Sequence, residues 1–97
     1  MTPAQESLLD DLRTALCHSA GPGYRVRIFS NESPIVGDVF VDVWRLRAKR
    51  GEVVNHIDFL VGHRGGCYRI TPRGGTQSVT KAVREAIRTR DIKHIYF

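Results

Sequence analysis

The sequence predicts an α+β fold in which a mainly antiparallel sheet carries both helices on one face. Two segments place apolar residues at helical spacing, and the segments between them alternate apolar and polar residues. Short breaks rich in glycine join the alternating segments, as in a meander of hairpins. The predicted order of elements is α-β-β-β-β-α-β. With 97 residues and no linker or repeat, the chain has room for a single domain, residues 1–97.

The first helix is predicted to begin at Pro3. Thr2 and Gln5 form a Thr-x-x-Gln capping box, and proline suits the first position of a helix. Leucines and alanines then recur on one face, with acidic residues on the other. The segment 19–23 contains two glycines and a proline, and it should end this helix.

Four strands are predicted next: one from Tyr24, then 39–46, 53–61 and 67–71. The segment 39–46 is apolar on both faces except at Asp42, which is typical of a central strand covered on each side. We therefore interpret Phe40, Trp44 and Phe59 as core residues. The two-sided pattern also predicts additional cover over the sheet or a homodimer.

The second helix carries the clearest helical periodicity, from Val79 to Ile87. Thr76 or Ser78 is expected to cap it. Apolar residues in 92–97 predict a final strand, so we expect this terminus to be docked against the sheet.

The composition favours a cytoplasmic protein that does not enter membranes. No apolar run reaches the ~20 residues of a membrane span, and the N-terminus lacks the pattern of a secretion signal. Cys17 and Cys67 are too few to staple a small secreted domain, so we interpret both as buried thiols.

The charge distribution points to an anionic partner. The net charge is +5, but residues 1–44 carry −3 and residues 45–97 carry +8. Twelve of the 15 basic residues are arginine, which binds phosphates and carboxylates through two parallel hydrogen bonds. Nucleic acid, either DNA or RNA, and an acidic protein surface both fit this pattern. The alternative is that the charge only keeps the protein soluble.

Two features predict where an anion would bind. One is a phosphate-binding loop at the start of the second helix, where backbone N–H groups and the helix dipole favour negative charge. This loop consists of Arg73, Gly74, Gly75, Thr76 and Ser78; the alternative is a plain turn with a helix cap. The other is a basic stripe on the exposed face of that helix. The predicted nucleic-acid-binding residues are Arg64, Arg69, Arg73, Lys81, Arg84 and Arg88.

A histidine–aspartate pair is the main candidate for catalysis. His56 and Asp58 should share one face of a strand, because strand side chains alternate. His63 is a short loop away and could complete a metal site or an acid–base group. No specific metal-binding or catalytic motif supports this, so we predict no catalytic residues, no metal and no cofactor.

Segment 58–73 resembles part of the PD-(D/E)XK nuclease superfamily, in which an aspartate opens one strand and a D/E-x-K triplet ends the next. Thr71, Pro72 and Arg73 stand in place of that triplet, which implies a nuclease-like scaffold with a degenerate site. The order of elements, with a basic second helix, also resembles double-stranded-RNA-binding domains.

Together these features predict a small non-enzymatic module that binds nucleic acid through its phosphates. An alternative is an inhibitor, immunity or accessory protein of a phage or mobile element, which would bind an acidic protein surface through its arginines.

Overall fold

The computed structural model describes residues 1–33 and 36–89, which form two helices and a five-stranded antiparallel sheet. The strands pair in chain order, so each neighbouring pair is a hairpin. This confirms the predicted α+β class. The elements are α1 (Pro3–Ser19), β1 (Tyr24–Glu32), β2 (Val39–Arg47), β3 (Val53–Val61), β4 (Cys67–Ile70), β5 (Thr76–Ser78) and α2 (Thr80–Thr89).

Helix α1 begins with the predicted capping box. The Gln5 backbone N–H donates to Thr2 Oγ1 (3.2 Å), and the Thr2 N–H donates to Gln5 Oε1 (2.9 Å). The buried Gln5 amide also donates to the carbonyl oxygens of Gly37 (2.6 Å) and Val61 (3.3 Å). Since a buried amide must be hydrogen-bonded to avoid a desolvation cost, Gln5 fixes the start of α1 to the end of β3.

Both helices pack on the same face of the sheet, as predicted. Alternate residues of β2, β3 and β4 point towards α1 and α2 because side chains of a strand alternate between its two faces. The sheet contributes Val39, Val41, Val43, Ile57, Phe59, Val61 and Cys67 to this core, and the helices contribute Leu8, Leu9, Leu12, Ala15, Leu16, Val83 and Ala86.

The opposite side of the sheet, called the open face here, differs from the prediction. Phe40 and Trp44 lie on this face and are half-buried, so their interpretation as core residues was wrong, whereas Phe59 is fully buried. Both helices contact the other side, and no described element covers the open face. Strand β2 is apolar on both faces, but within residues 1–33 and 36–89 other elements pack against only one of them.

The segment before α2 also differs from the prediction. Residues Thr76–Ser78 pair with β4, and α2 begins only at Thr80, so neither Thr76 nor Ser78 caps the helix. At the start of the helix, the Thr80 hydroxyl donates a hydrogen bond to the Cys67 carbonyl oxygen (3.3 Å), which links α2 to β4. The predicted final strand, 92–97, and its docking lie outside the described residues.

The two cysteines occupy different environments and form no disulfide with each other. Cys67 is buried, and desolvation raises the pKa of its thiol to about 12. Cys17 is exposed on α1, so its interpretation as a buried thiol was wrong. Neither described helix is long and apolar enough to cross a membrane.

Candidate functional site

The sequence-predicted basic residues occupy several parts of the fold. Three of them, Lys81, Arg84 and Arg88, are exposed together on α2. Arg64 lies in the β3–β4 turn and Arg73 in the β4–β5 turn, which are at opposite ends of β4. Arg69 is on β4 opposite Phe59, on the side of the helices. The structure thus brings together the α2 stripe but separates the two turns.

The predicted phosphate-binding loop is a β-turn and not the start of a helix. The backbone N–H groups of Gly74 and Gly75 donate to Thr71 O (2.9 Å) and Thr71 Oγ1 (3.0 Å). Gly74 has a φ of +86°, a left-handed conformation that glycine adopts without strain. These glycines therefore close the β4–β5 hairpin, and strand β5 separates them from the N-terminus of α2. The expectation that this loop opens the second helix was wrong.

A different basic surface lies at the β2–β3 hairpin. A pocket of about 540 Å³ there is lined by Gly23, Arg47, Lys49, Arg50 and Glu52. The hairpin is held beside residue 23 by a hydrogen bond from the Ala48 N–H to the Gly23 carbonyl oxygen (2.9 Å).

Arg25 adds a fourth cation to this end of the molecule. A guanidinium nitrogen of Arg25 lies 3.9 Å from the position that a Cβ atom on Gly51, at the tip of the hairpin, would occupy. Arg25 is exposed on β1, the strand next to the hairpin. We call Arg25, Arg47, Lys49 and Arg50 the hairpin cations.

One carboxylate partly offsets this positive charge. Glu52 Oε2 lies 3.3 Å from Arg47 Nε, and both side chains are about half exposed, so the ion pair is weak and solvent-screened. Of the described residues that line the pocket, Glu52 alone is acidic, so a net positive charge remains at its wall.

Arg45 supports this end of the sheet from the side of the helices. Its guanidinium lies 4.0 Å from the centre of the Tyr24 ring and donates to the carbonyl oxygen of Ala20 (3.0 Å) and to Asn55 Oδ1 (3.2 Å). These contacts link the end of α1 to strands β1, β2 and β3. We therefore assign Arg45 a structural role, unlike the exposed hairpin cations.

A second candidate site occupies the open face. His56 Nε2 is hydrogen-bonded to Asp42 Oδ1 and lies 3.1 Å from Asp58 Oδ1. The Trp44 ring stacks on the His56 ring, with 3.9 Å between ring centroids. The predicted placement of His56 and Asp58 on one face is confirmed. Asp42, opposite Asp58 in the β2–β3 register, was missed as a site residue.

His63 does not join this cluster. It lies in the β3–β4 turn, where its Nδ1 is 3.9 Å from Asp38 Oδ1. The close group of potential ligands contains Asp42, His56 and Asp58. His63, which the sequence offered as a possible third member, therefore lies outside the cluster, because it is in the turn at the end of the sheet and the cluster lies further along the strands.

The three side chains of the cluster shift one another's pKa. The hydrogen bond with Asp42 raises the pKa of His56 above its usual 6.5, against the opposing effect of burial. Burial raises the pKa of Asp58, and the neighbouring Asp42 adds to this effect. Burial also acts to raise the pKa of Asp42, but hydrogen bonds with Asp58 and His56 outweigh it and lower that pKa. A protonated His56 between two carboxylates is therefore favoured in the folded state.

This coupling predicts a pH-dependent effect of His56→Gln. Because the pKa of His56 is raised by folding, its charge stabilises the native state fully below pH 6.5, and the effect is lost as the pH rises through the folded-state pKa. We expect the variant to lose about 1 kcal/mol in urea unfolding at pH 5.5–6, and less at pH 9.

The control for this measurement is His63→Gln, which removes an exposed histidine outside the cluster. It should lower the stability by less than His56→Gln does at pH 5.5–6, because His63 is 60% exposed. A pH-independent loss in His56→Gln would contradict a charged His56 in the folded protein.

No protein-family profile matches the chain, and no curated protein or solved structure compared with it is similar to it. The resemblances to PD-(D/E)XK nucleases and double-stranded-RNA-binding domains thus stay sequence-based predictions. The segment that stands in place of the nuclease triplet, Thr71 to Arg73, lies in the β4–β5 turn.

Proposed function

We propose that this protein is a non-enzymatic module of the cytoplasm that binds nucleic acid through the phosphate backbone, with the hairpin cations as its main contact. The observation that carries this proposal is the pocket of about 540 Å³ whose wall contains Arg47, Lys49 and Arg50. Cations gathered around a concave surface attract a polyanion more strongly than isolated surface charges do, because their fields add.

Phosphate contacts fit this surface better than base recognition. Guanidinium groups form paired hydrogen bonds with phosphate oxygens, and such contacts carry no sequence information by themselves. Base stacking needs an accessible aromatic ring, but Tyr24 at this end of the sheet is in contact with the guanidinium of Arg45. We therefore expect binding that depends weakly on sequence.

The charges on the two helices favour one orientation of the protein on nucleic acid. Helix α1 exposes Glu6 and Asp10, which would repel a phosphate backbone, whereas α2 exposes Lys81 and Arg84. The α2 stripe is then a source of long-range attraction, and nucleic acid avoids the outer face of α1.

The test is a fluorescence anisotropy titration with single- and double-stranded DNA and RNA at 50 and 200 mM salt. If about three cations contact phosphates, the affinity for duplex DNA should fall roughly 40-fold between these salt concentrations, because each contact releases counterions. The absence of salt-sensitive binding at micromolar protein would refute the proposal.

A second candidate function is binding to another protein, as an inhibitor, immunity or accessory factor. The observation that favours it is the open face, where Phe29 and Tyr68 are 49% and 40% exposed. Aromatic rings beside arginines are enriched at protein interfaces. A partner that is retained in a pull-down from nuclease-treated lysate, and lost with Phe29→Asp, would favour this function over nucleic-acid binding.

A further inference from the structure

We propose that Asp42, His56 and Asp58 form a binding site for a divalent first-row transition ion on the open face of the sheet. One potential ligand atom from each residue lies within 4.8 Å of the other two. The three residues come from the adjacent strands β2 and β3, so their backbones are held by the sheet ladder. This site is separate from the hairpin cations and does not depend on their function.

The donor set determines the class of ion. One imidazole nitrogen and two carboxylates, when deprotonated, offer a site with two negative charges. Imidazole is a common ligand of zinc, copper, nickel and iron, whereas magnesium and calcium prefer oxygen ligands alone. A nitrogen donor therefore favours a transition ion such as Zn²⁺ or Co²⁺ over Mg²⁺ and Ca²⁺, and the two carboxylates also suit Mn²⁺.

One carboxylate oxygen of the cluster makes an ion pair but no well-oriented hydrogen bond with the described residues. Asp58 Oδ1 is shielded from solvent and accepts no hydrogen bond of suitable geometry from any described residue, although His56 Nε2 is 3.1 Å away. The hydrogen bond of His56 Nε2 is made with Asp42 instead.

The strand register adds a second reason for a cation. Asp42 and Asp58 are directly opposite each other on adjacent strands, where like charges are unfavourable. A proton on His56 offsets part of this repulsion. A divalent ion would offset more of it and would bind Asp58 Oδ1 directly. On binding, the ion displaces the proton from His56 Nε2, so the affinity should rise with pH.

The surroundings of the cluster suit an ion that keeps water ligands. The stacked Trp44 ring limits the rotation of the His56 imidazole. The side chains of His56, Asp42 and Asp58 are 38%, 30% and 27% exposed, which leaves one side of the cluster open to solvent. Three protein ligands and an open side are the arrangement in which metal ions bind exchangeable water.

Trp44 offers a direct measurement because it is the single tryptophan of the chain. We would titrate the metal-free protein, residues 1–97, with Co²⁺ and follow Trp44 fluorescence, in a Cys17→Ser background that removes the exposed thiol. A Co²⁺ ion bound to His56 is next to the indole ring and should quench it with a saturable dependence corresponding to one ion per chain. Competition with Zn²⁺ should restore the fluorescence.

Two variants test whether the ion is bound by these residues. Asp58→Asn keeps the shape of the side chain, and His56→Gln removes the imidazole; each should weaken binding at least about tenfold. His63→Gln, outside the cluster, should leave the affinity unchanged. Circular dichroism reports whether each variant is folded, and calorimetry with Mn²⁺ on the unsubstituted protein provides a readout that needs no variant.

Two outcomes would overturn the proposal. One is the absence of saturable binding to the unsubstituted protein at millimolar Co²⁺ and Mn²⁺, which would mean that a proton alone occupies the cluster. The other is binding that both Asp58→Asn and His56→Gln leave unchanged while the variants stay folded. Loss of nucleic-acid binding in variants of the hairpin cations would affect neither outcome.

Discussion

Replacing Phe59 with alanine should lower the free energy of unfolding by about 3–5 kcal/mol. Phe59 is fully buried on β3 and belongs to the core between the sheet and the two helices. The truncation removes a large apolar surface from this core and leaves a cavity that neighbouring strands cannot close without breaking their hydrogen bonds. Urea unfolding followed by circular dichroism would measure the change.

Phe29→Ala is the matched control, because it removes the same side chain from a position that is 49% exposed on β1. The arginine beside it, Arg27, approaches the ring at 5.6 Å, a weak contact at an exposed site. We expect a loss of about 1 kcal/mol or less. Equal losses in the two variants would contradict the placement of the core on the side of the helices.

The sequence predicted the helical side of the fold well because its signals are local. The capping box of Thr2 and Gln5 determines the start of α1 within four residues of chain, and the structure shows both of its hydrogen bonds. Strand β5 was missed because the local signal at this segment is ambiguous. Thr76 and Ser78 carry hydroxyl groups that suit a helix cap as well as a short strand, and three residues are too few to show alternation.

Two of the three residues of the Asp-His-Asp cluster could be predicted from the sequence, and the third could not. His56 and Asp58 share a face because they are two residues apart on one strand. Asp42 is visible in the sequence as a polar interruption of an apolar segment, but its position opposite Asp58 depends on the β2–β3 register. That register includes an irregularity between Arg45 and Leu46, which shifts the pairing and leaves no clear sequence signature.

The hairpin cations were overlooked because their positions in the sequence indicate a turn. Lys49 and Arg50 lie beside Gly51, whose φ of +70° closes the hairpin. The wall of the pocket opposite them comes from Gly23, which is brought near through the pairing of β1 with β2. A periodicity analysis detects the stripe on α2 but not a surface assembled from two separate turns.

Removing charge from the hairpin cations should affect nucleic-acid binding more than removing it from the basic residues that the sequence predicted. The triple variant Arg25→Gln, Lys49→Gln and Arg50→Gln removes three positive charges from the hairpin end and leaves the Arg47–Glu52 ion pair intact. We expect its affinity for duplex DNA to fall on the order of tenfold or more in 100 mM salt. The slope of log affinity against log salt should decrease by about 3, one for each lost phosphate contact.

The matched control removes the same charge from the surface that the sequence favoured. The triple variant Arg73→Gln, Lys81→Gln and Arg84→Gln gives the same net charge as the hairpin variant, so any uniform effect of charge is equal in both. If the hairpin cations contact the phosphates, this control should weaken binding by no more than about twofold, because long-range attraction is screened over roughly 10 Å in 0.1 M salt. A larger loss in the control than in the hairpin variant would move the interface to α2 and the β4–β5 turn and refute the assignment to the β2–β3 hairpin.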